Sequence, residues 1–265
     1  MNEHYALITG STSGIGLEIA YVLAEKGFNL VLTARRKNLL KKFSKHIKTK
    51  YKVNVDYIDG DLSDKNTPNK IYEFCNSNKY LIKILINNAG YGIVTPLHLS
   101  SMDEEEKCIR VLSISVISLT KLFLPQMLKI KDGRIMIVSS VAAFAPPSQV
   151  QSLYGPTKTF VNRFSELINL NYNNEGISCT AICPGYTITN FHNASGVQEE
   201  MDRVPRFLKN SAQRVANESV EAMFKRKKLY VPTKRWKFIA FLLKTVPKPV
   251  FNILSSIIAP GRFSK

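Results

Sequence analysis

Tyr154 and Lys158 stand four residues apart in the run Tyr154-Gly155-Pro156-Thr157-Lys158. A phenol with a pKa near 10 carries almost no phenolate at neutral pH, and a nearby ammonium favours the ionised form. A tyrosine and a lysine on one helical face can therefore exchange a proton near pH 7. The spacing alone is cheap: with 11 tyrosines in 265 residues, about one Tyr-x3-Lys is expected by chance. Tyr230 to Lys234 is a second copy. Context separates the two. A helix beginning near Ser152 puts Tyr154 and Lys158 one turn apart and tolerates Pro156 in its first turn. Tyr230 instead lies in a short extended stretch before Pro232, which would hold it roughly 13 Å from Lys234. Ser139-Ser140 ends an apolar run and can bring a hydroxyl beside Tyr154, with Ser140 the stronger candidate and Ser139 the weaker.

A second constellation opens the chain. Thr9-Gly10-Ser11-Thr12-Ser13-Gly14-Ile15-Gly16 joins an apolar strand to an amphipathic helix. There, backbone N–H groups and the helix dipole can hold a pyrophosphate, and glycines let the backbone approach it. At the end of the next strand, a dinucleotide site selective for NAD presents a carboxylate to the ribose 2′-hydroxyl. This chain reads Thr33-Ala34-Arg35-Arg36 instead. Two guanidiniums and no acid suit a 2′-phosphate, so Arg35 and Arg36 point to NADP. Asp61-Leu62 follows the third strand, where the carboxylate can accept from an adenine amino group or cap the next helix. Asn87-Asn88-Ala89-Gly90 ends the fourth strand with small residues that permit close approach or simply form a turn.

These residues need a scaffold that puts strand ends side by side. Apolar runs at Tyr5–Thr9, Leu30–Thr33, Val53–Ile58, Ile82–Ile86, Arg134–Val138 and Ile177–Ile182 read as strands. Helical periodicity falls at Gly14–Lys26, Lys37–Lys50, Asn69–Cys75, Ser101–Leu128 (with Ser101 and Glu104 as a capping box), Leu153–Tyr172 and Ala212–Lys225. Alternation of this kind predicts an α/β, doubly wound parallel sheet (a Rossmann fold) with its ligand site at the carboxyl ends of the strands.

Thr9 to Gly16, Asn87 to Gly90, Ser140, Tyr154 with Lys158, and Pro184-Gly185 followed by Thr189 occur in an order and spacing that resemble the short-chain dehydrogenase/reductase family, over residues 5 to 231. The likeness is to its NADPH-using ketoacyl reductases and hydroxysteroid dehydrogenases. It implies hydride transfer between a nicotinamide and a carbonyl or secondary alcohol. Tyr154 is then the proton donor in reduction, Lys158 its electrostatic partner and ribose ligand, and Ser140 the hydroxyl that holds the carbonyl. Asn88, Ala89, Gly90, Pro184, Gly185 and Thr189 complete the implied cofactor site. Two departures stand out. The family places an asparagine thirteen residues before the proline of a Leu-Pro pair, and counting back from Pro125 lands on Leu112, which cannot order a relay water. Ser140 also precedes Tyr154 by fourteen residues, one more than in similar relatives, so a bulge is expected between Ala142 and Leu153. Leu112 leaves an alternative open, an NADP-binding sensor or scaffold with little catalytic activity.

Composition bounds the rest. With 45% apolar and 22% charged residues the chain is globular, and one domain over residues 1–231 with a basic, apolar helical appendage at 232–265 is expected. The sequence shows neither the roughly 20-residue apolar stretch of a bilayer span nor a secretory leader, and a cytoplasmic protein is expected. Four cysteines without a pairing motif read as reduced thiols, with no metal site. The net charge of +17 resides in two segments, Arg35–Lys52 and Lys225–Lys265, which hold nine and eleven basic residues and no acidic ones. The remainder is slightly acidic and the basic stretches lack a recognition motif, so no nucleic-acid partner is expected. Apolar residues on several faces of the helix after Ser101 predict a homodimer or homotetramer. In the segment 186–210, Tyr186, Ile188, Phe191, Val197, Met201 and Phe207 either line an apolar substrate pocket or belong to the core. Trp236–Leu243 and Val250–Ile258, ringed by Lys234, Arg235, Lys237, Lys244 and Lys248, either fold over the site or a subunit boundary, or lie peripherally against the inner face of a membrane.

Overall fold

A computed structural model of the chain describes residues 4–146, 153–189, 202 and 204–245. The elements follow the predicted alternation: β1 (His4–Thr9), α1 (Gly14–Glu25), β2 (Asn29–Ala34), α2 (Lys37–Tyr51), β3 (Val55–Asp59), α3 (Thr67–Ser77), β4 (Leu81–Asn87), α4 (Met102–Ile109), α5 (Ser115–Ile130), β5 (Gly133–Val138), α6 (Tyr154–Tyr172) and β6 (Ile177–Ile182). Two-residue strands β7 (Thr187–Ile188) and β8 (Asn210–Ser211), α7 (Ala212–Phe224), β9 (Leu229–Tyr230) and α8 (Lys234–Thr245) follow. The main sheet is seven-stranded in the order β3-β2-β1-β4-β5-β6-β9, every pairing parallel. The strand order reverses between β1 and β4, so the crevice above their carboxyl ends is the topological switch point at which doubly wound folds place a ligand.

Strand periodicity sorts side chains onto two faces. Ala6, Ile8, Leu30 and Leu32 meet α1, α2 and α7, whereas Tyr5, Leu7 and Val31 meet α3, α5 and α6. The β1–β4 register shifts between Tyr5 and Ala6, which skip Lys83, and that irregularity sends Ile82 to one layer and Ile84 to the other.

The helix after Ser101 is capped as predicted: Ser101 Oγ accepts from the Glu104 N–H, and the Glu104 carboxylate accepts from the Ser101 N–H. It does not run uniformly. A π-helical stretch, Arg110–Ile114, separates α4 from α5 and is centred on Leu112; it was not foreseen from the sequence, where apolar residues fall on several faces and hide a shift of phase. Met102–Ile130 is long and apolar enough to cross a membrane by length and composition, contrary to the expectation from the sequence. Its inner face, Val111, Leu112, Val116, Leu119, Phe123 and Met127, is buried in the protein, the placement of a core helix.

Candidate active site

The loop after β1 is tied down by side chains behind it. Thr9 Oγ1 accepts from the backbone N–H groups of Asn88 and Ala89 at 2.9 and 3.0 Å. The Asn88 amide donates to the carbonyls of Thr9 and Gly10 at 2.9 and 3.2 Å. A Cβ on Gly10 would fall 2.8 Å from Asn88 Nδ2, and one on Gly16 2.3 Å from it. These two glycines are therefore required by the packing of β4 against the loop. Gly14 has φ +57° and faces Thr189, whose Cβ would lie 3.0 Å from an added side chain. Thr189 thereby lies against the loop.

Several nominated residues play a different part from a direct side-chain contact. Ser11 is fully buried, with its hydroxyl and its N–H both donating to the Thr33 carbonyl, so its side chain ties the loop to β2. Asn88 is occupied with the loop. Leu62 is packed in the core, which leaves its backbone for any ligand contact. Asp61 accepts from the Ser63 N–H at 2.9 Å, which makes it a turn residue, and lies 3.9 Å from Arg35 across a solvent-exposed gap.

The two arginines divide. Arg36 donates to Thr12 Oγ1 at 3.0 Å and Ser13 Oγ at 3.2 Å, bridging β2 to the glycine loop. Arg35 is exposed and, among the described residues, pairs with Asp61. Ile15 is half-buried at the start of α1.

On the far side of the switch point, α6 begins at Tyr154 and carries Lys158 one turn on. Lys158 is 5% exposed, its Nζ donates to the Val138 carbonyl at the end of β5 at 2.7 Å, and it sits 5.4 Å from the Tyr154 ring centroid. Burial pushes this lysine down to about 8, against smaller opposing effects of Cys183 and Cys108. The two serines separate cleanly. Ser139 is buried and its hydroxyl donates to the Lys158 carbonyl, whereas Ser140 is half-exposed and accepts from the Ala142 N–H at 3.1 Å. The sequence left both in play; the structure gives Ser139 a fixing role and leaves Ser140 partly exposed at the turn after β5. The turn Val141–Ala143 follows, and the rest of the expected bulge, 147–152, lies outside the described residues.

Gly90 closes the floor between the two halves. A Cβ there would meet Leu112 Cδ2 at 2.8 Å and lie 3.9 Å from Lys158 Nζ. The π-helical turn thus presses an apolar side chain onto the residue that separates the glycine loop from the lysine.

The contact missed by sequence reasoning is Trp236. It is 3% exposed, its indole N–H donates to the Leu208 carbonyl at 2.9 Å, and its ring lies on Gly185. Pro184 accepts at its carbonyl from the Val141 N–H, so the Pro184-Gly185 loop is held between the Ser140 turn and α8. Lys244 Nζ stands 4.1 Å above the Phe144 ring. Tyr186 packs edge-on against Trp236 at 5.5 Å. Ile188 and Phe207 are exposed, and Phe191, Val197 and Met201 lie outside the described residues. A single tryptophan in an otherwise basic tail was the available signal.

A glycine-lined strand-to-helix loop at the switch point of a doubly wound sheet, facing a Tyr-x3-Lys helix, defines a dinucleotide-dependent dehydrogenase architecture. The chain belongs to the short chain dehydrogenase family, whose model matches residues 4–200. It is 33% identical over 189 residues to the very-long-chain 3-oxoacyl-CoA reductase of Homo sapiens, covering 70% of this chain and 60% of that protein. It is 29% identical over 222 residues to hydroxysteroid dehydrogenase-like protein 1 of Gallus gallus, covering 83% of this chain and 65% of that one. The chain thus spans about two thirds or less of the length of these relatives. Among solved structures it is similar to a short-chain dehydrogenase from Sphingobium yanoikuyae in complex with NADPH, with TM-score 0.81, 25% identity, and coverage of 92% of this chain and 96% of that one.

Proposed function

We propose that the chain is an NADP(H)-dependent carbonyl reductase or secondary-alcohol dehydrogenase. The observation that carries the reading is Tyr154 at the head of α6, one turn before the buried Lys158, whose Nζ donates to the carbonyl at the end of β5. The residues fit a dinucleotide: the loop leaves room only for glycine at positions 10 and 16, and the two guanidiniums that follow β2, with no carboxylate there, support a contact to a 2′-phosphate. Backbone groups of Gly10 to Gly16 would hold the pyrophosphate, Asp61 and Leu62 the adenine side, and Ala89, Gly90, Lys158, Pro184, Gly185 and Thr189 the nicotinamide side. Bound there, the nicotinamide supplies or accepts the hydride.

The chain's own residues handle the proton and the carbonyl. Ser140 holds the substrate oxygen, Tyr154 delivers a proton to it in reduction and removes one in oxidation, and Lys158 stabilises the phenolate that remains. The names of the human and chicken relatives favour a fatty or steroid-like apolar carbonyl. Exposed Met102, Ile114, Phe160, Leu167 and Leu170 offer apolar surface for a second copy, in support of a homodimer or homotetramer.

Leu112 over Gly90 favours a second reading, an NADP-binding protein with little turnover. One assay separates them: NADPH oxidation with a panel of aldehydes, diketones and long-chain ketones. The first reading expects turnover that Tyr154→Phe lowers by about a hundredfold or more while NADPH binding is kept. Binding without turnover on any member of the panel supports the second.

A further inference from the structure

Helix α8 shows two unlike faces. Trp236 and Ala240 point inward and are buried, joined by the half-buried Ile239 in a cluster with Cys183, Val204, Leu208 and Val231. The outward face carries Phe238 and Phe241, which are 63% and 60% exposed and one turn apart. Around them Lys234, Arg235, Lys237 and Lys244 are exposed as well. The guanidinium of Arg235 donates to the Phe207 carbonyl at 2.6 Å, which fixes a third aromatic, itself 61% exposed, beside the first turn of the helix. Lys237 is held to Tyr230 and Lys244 to Phe144, so the cations flank the phenylalanines without covering them.

Neither the fold nor the site requires this outer face. A soluble surface has no use for paired outward phenylalanines on a helix whose inner face is already packed. From Lys225 to Lys265 the chain carries eleven basic residues and no acidic one, and the nearest carboxylate, Glu218, is spent on Tyr230, Thr233 and Arg214 behind the helix, so the charge that α8 itself presents is positive. Aromatic side chains at the level of lipid headgroups, ringed by lysine and arginine, match an anionic bilayer surface in both chemistry and charge.

We propose that α8, with Phe207, is a docking surface for an anionic lipid bilayer. Phe238, Phe241 and Phe207 insert at the headgroup level, while Lys234, Arg235, Lys237 and Lys244 meet the lipid charge. The inner face of the same helix lies on Gly185, and Lys244 covers Phe144, four residues after Ser140. Docking would therefore hold the Gly185 loop and the Phe144 turn beside the membrane, which shortens the path of an apolar carbonyl from the bilayer to the site. This last consequence rests on the catalytic reading above; the docking itself does not.

The test is sedimentation of the full chain with vesicles of phosphatidylcholine alone, and of phosphatidylcholine with one third phosphatidylglycerol. The expected result is binding to the mixed vesicles at low salt, release as salt is raised, and little binding to the neutral ones. Phe238→Ser and Phe241→Ser together should weaken binding by about tenfold or more, with an unchanged melting temperature because both side chains are exposed. The same double variant should keep kcat/KM for a short soluble ketone and lose it for a long-chain ketone dissolved in the vesicles; failure of this arm alone bears on the catalytic reading. The proposal is overturned if the full chain stays in the supernatant with both vesicle types. It is also overturned if the double variant binds like the wild type, or if neutral vesicles bind equally well. Two further outcomes overturn it. One is a double variant that falls from dimer to monomer with no vesicle binding in the wild type, which makes the face an interface between copies. The other is binding seen only after residues 246–265 are deleted, which makes that segment the cover of this face.

Discussion

The indole of Trp236 rests on Gly185 so closely that a Cβ at that position would stand 2.0 Å from both ring-fusion carbons. A residue of the basic C-terminal helix thereby dictates glycine in the loop that follows β6, and the loop in turn is bonded to the turn carrying Ser140. The helix, the Pro184-Gly185 loop and the Ser140 turn form one packed unit.

Gly185→Ala should displace α8, at a cost of about 1 to 3 kcal/mol from overpacking. Trp236 is the only tryptophan, so the displacement is readable as a red shift of its emission together with a lower melting temperature. Trp236→Ala should cost about 3 to 5 kcal/mol through the cavity it leaves. Unshifted emission in Gly185→Ala would show that the loop yields instead of the helix.

Lys158 has a folded-state pKa pushed below its ordinary 10.5, to about 8, by burial. Between these values the unfolded chain binds more protons than the folded one, so stability should rise with pH from about 8 to about 10.5. Below pH 8 both states hold the proton and the full burial penalty is present. Lys158→Met should therefore raise the melting temperature of the free protein at pH 7, flatten its rise above pH 8, and abolish turnover. The ammonium is half lost near pH 8 in the free protein, so kcat/KM for reduction should fall above that pH.

Gly90 and Leu112 should be coupled. Gly90→Ala drives a methyl to within 2.8 Å of Leu112 Cδ2 and should cost about 1 to 3 kcal/mol. Leu112→Ala alone should cost about 2 to 5 kcal/mol. The double variant should be more stable than the sum of the two predicts, by about 1 kcal/mol or more, in urea unfolding. Strict additivity would mean that the π-helical turn moves away when Gly90 is enlarged.

The arginines should differ in kind. Wild-type protein should bind NADPH at least about tenfold tighter than NADH, from a charge-assisted contact worth roughly 1.5 to 3 kcal/mol. Arg35→Ala should erase that preference and leave NADH affinity unchanged. Arg36→Ala should weaken both dinucleotides, because Arg36 also braces Thr12 and Ser13 in the loop. Fluorescence titration of both cofactors against both variants checks this, and equal affinity of the wild type for the two would refute the role of the second-strand terminus.

Much of this molecule was legible as a string of residues. Strand and helix alternation, the ends of β6, the Ser101–Glu104 box and the clustering of glycines after β1 depend on interactions within a few residues, and these the sequence carries directly. The Tyr154-x3-Lys158 pair was legible for the same reason, since one helical turn sets its spacing. What stayed hidden depends on atoms brought together from afar. That Ser139 is spent on Lys158, that Ser11 and Asn88 brace the loop, and that Leu112 presses on Gly90 follow from β1, β4, β5 and α6 meeting at one crevice. The depressed pKa of Lys158 is likewise a property of burial, which no local pattern encodes. The C-terminal helix shows the division best: its sequence determined that it would be apolar and basic, but only the packing of Trp236 on Gly185 decided which face turned inward and left Phe238 and Phe241 outside, because a side chain's burial is fixed by the surface opposite it.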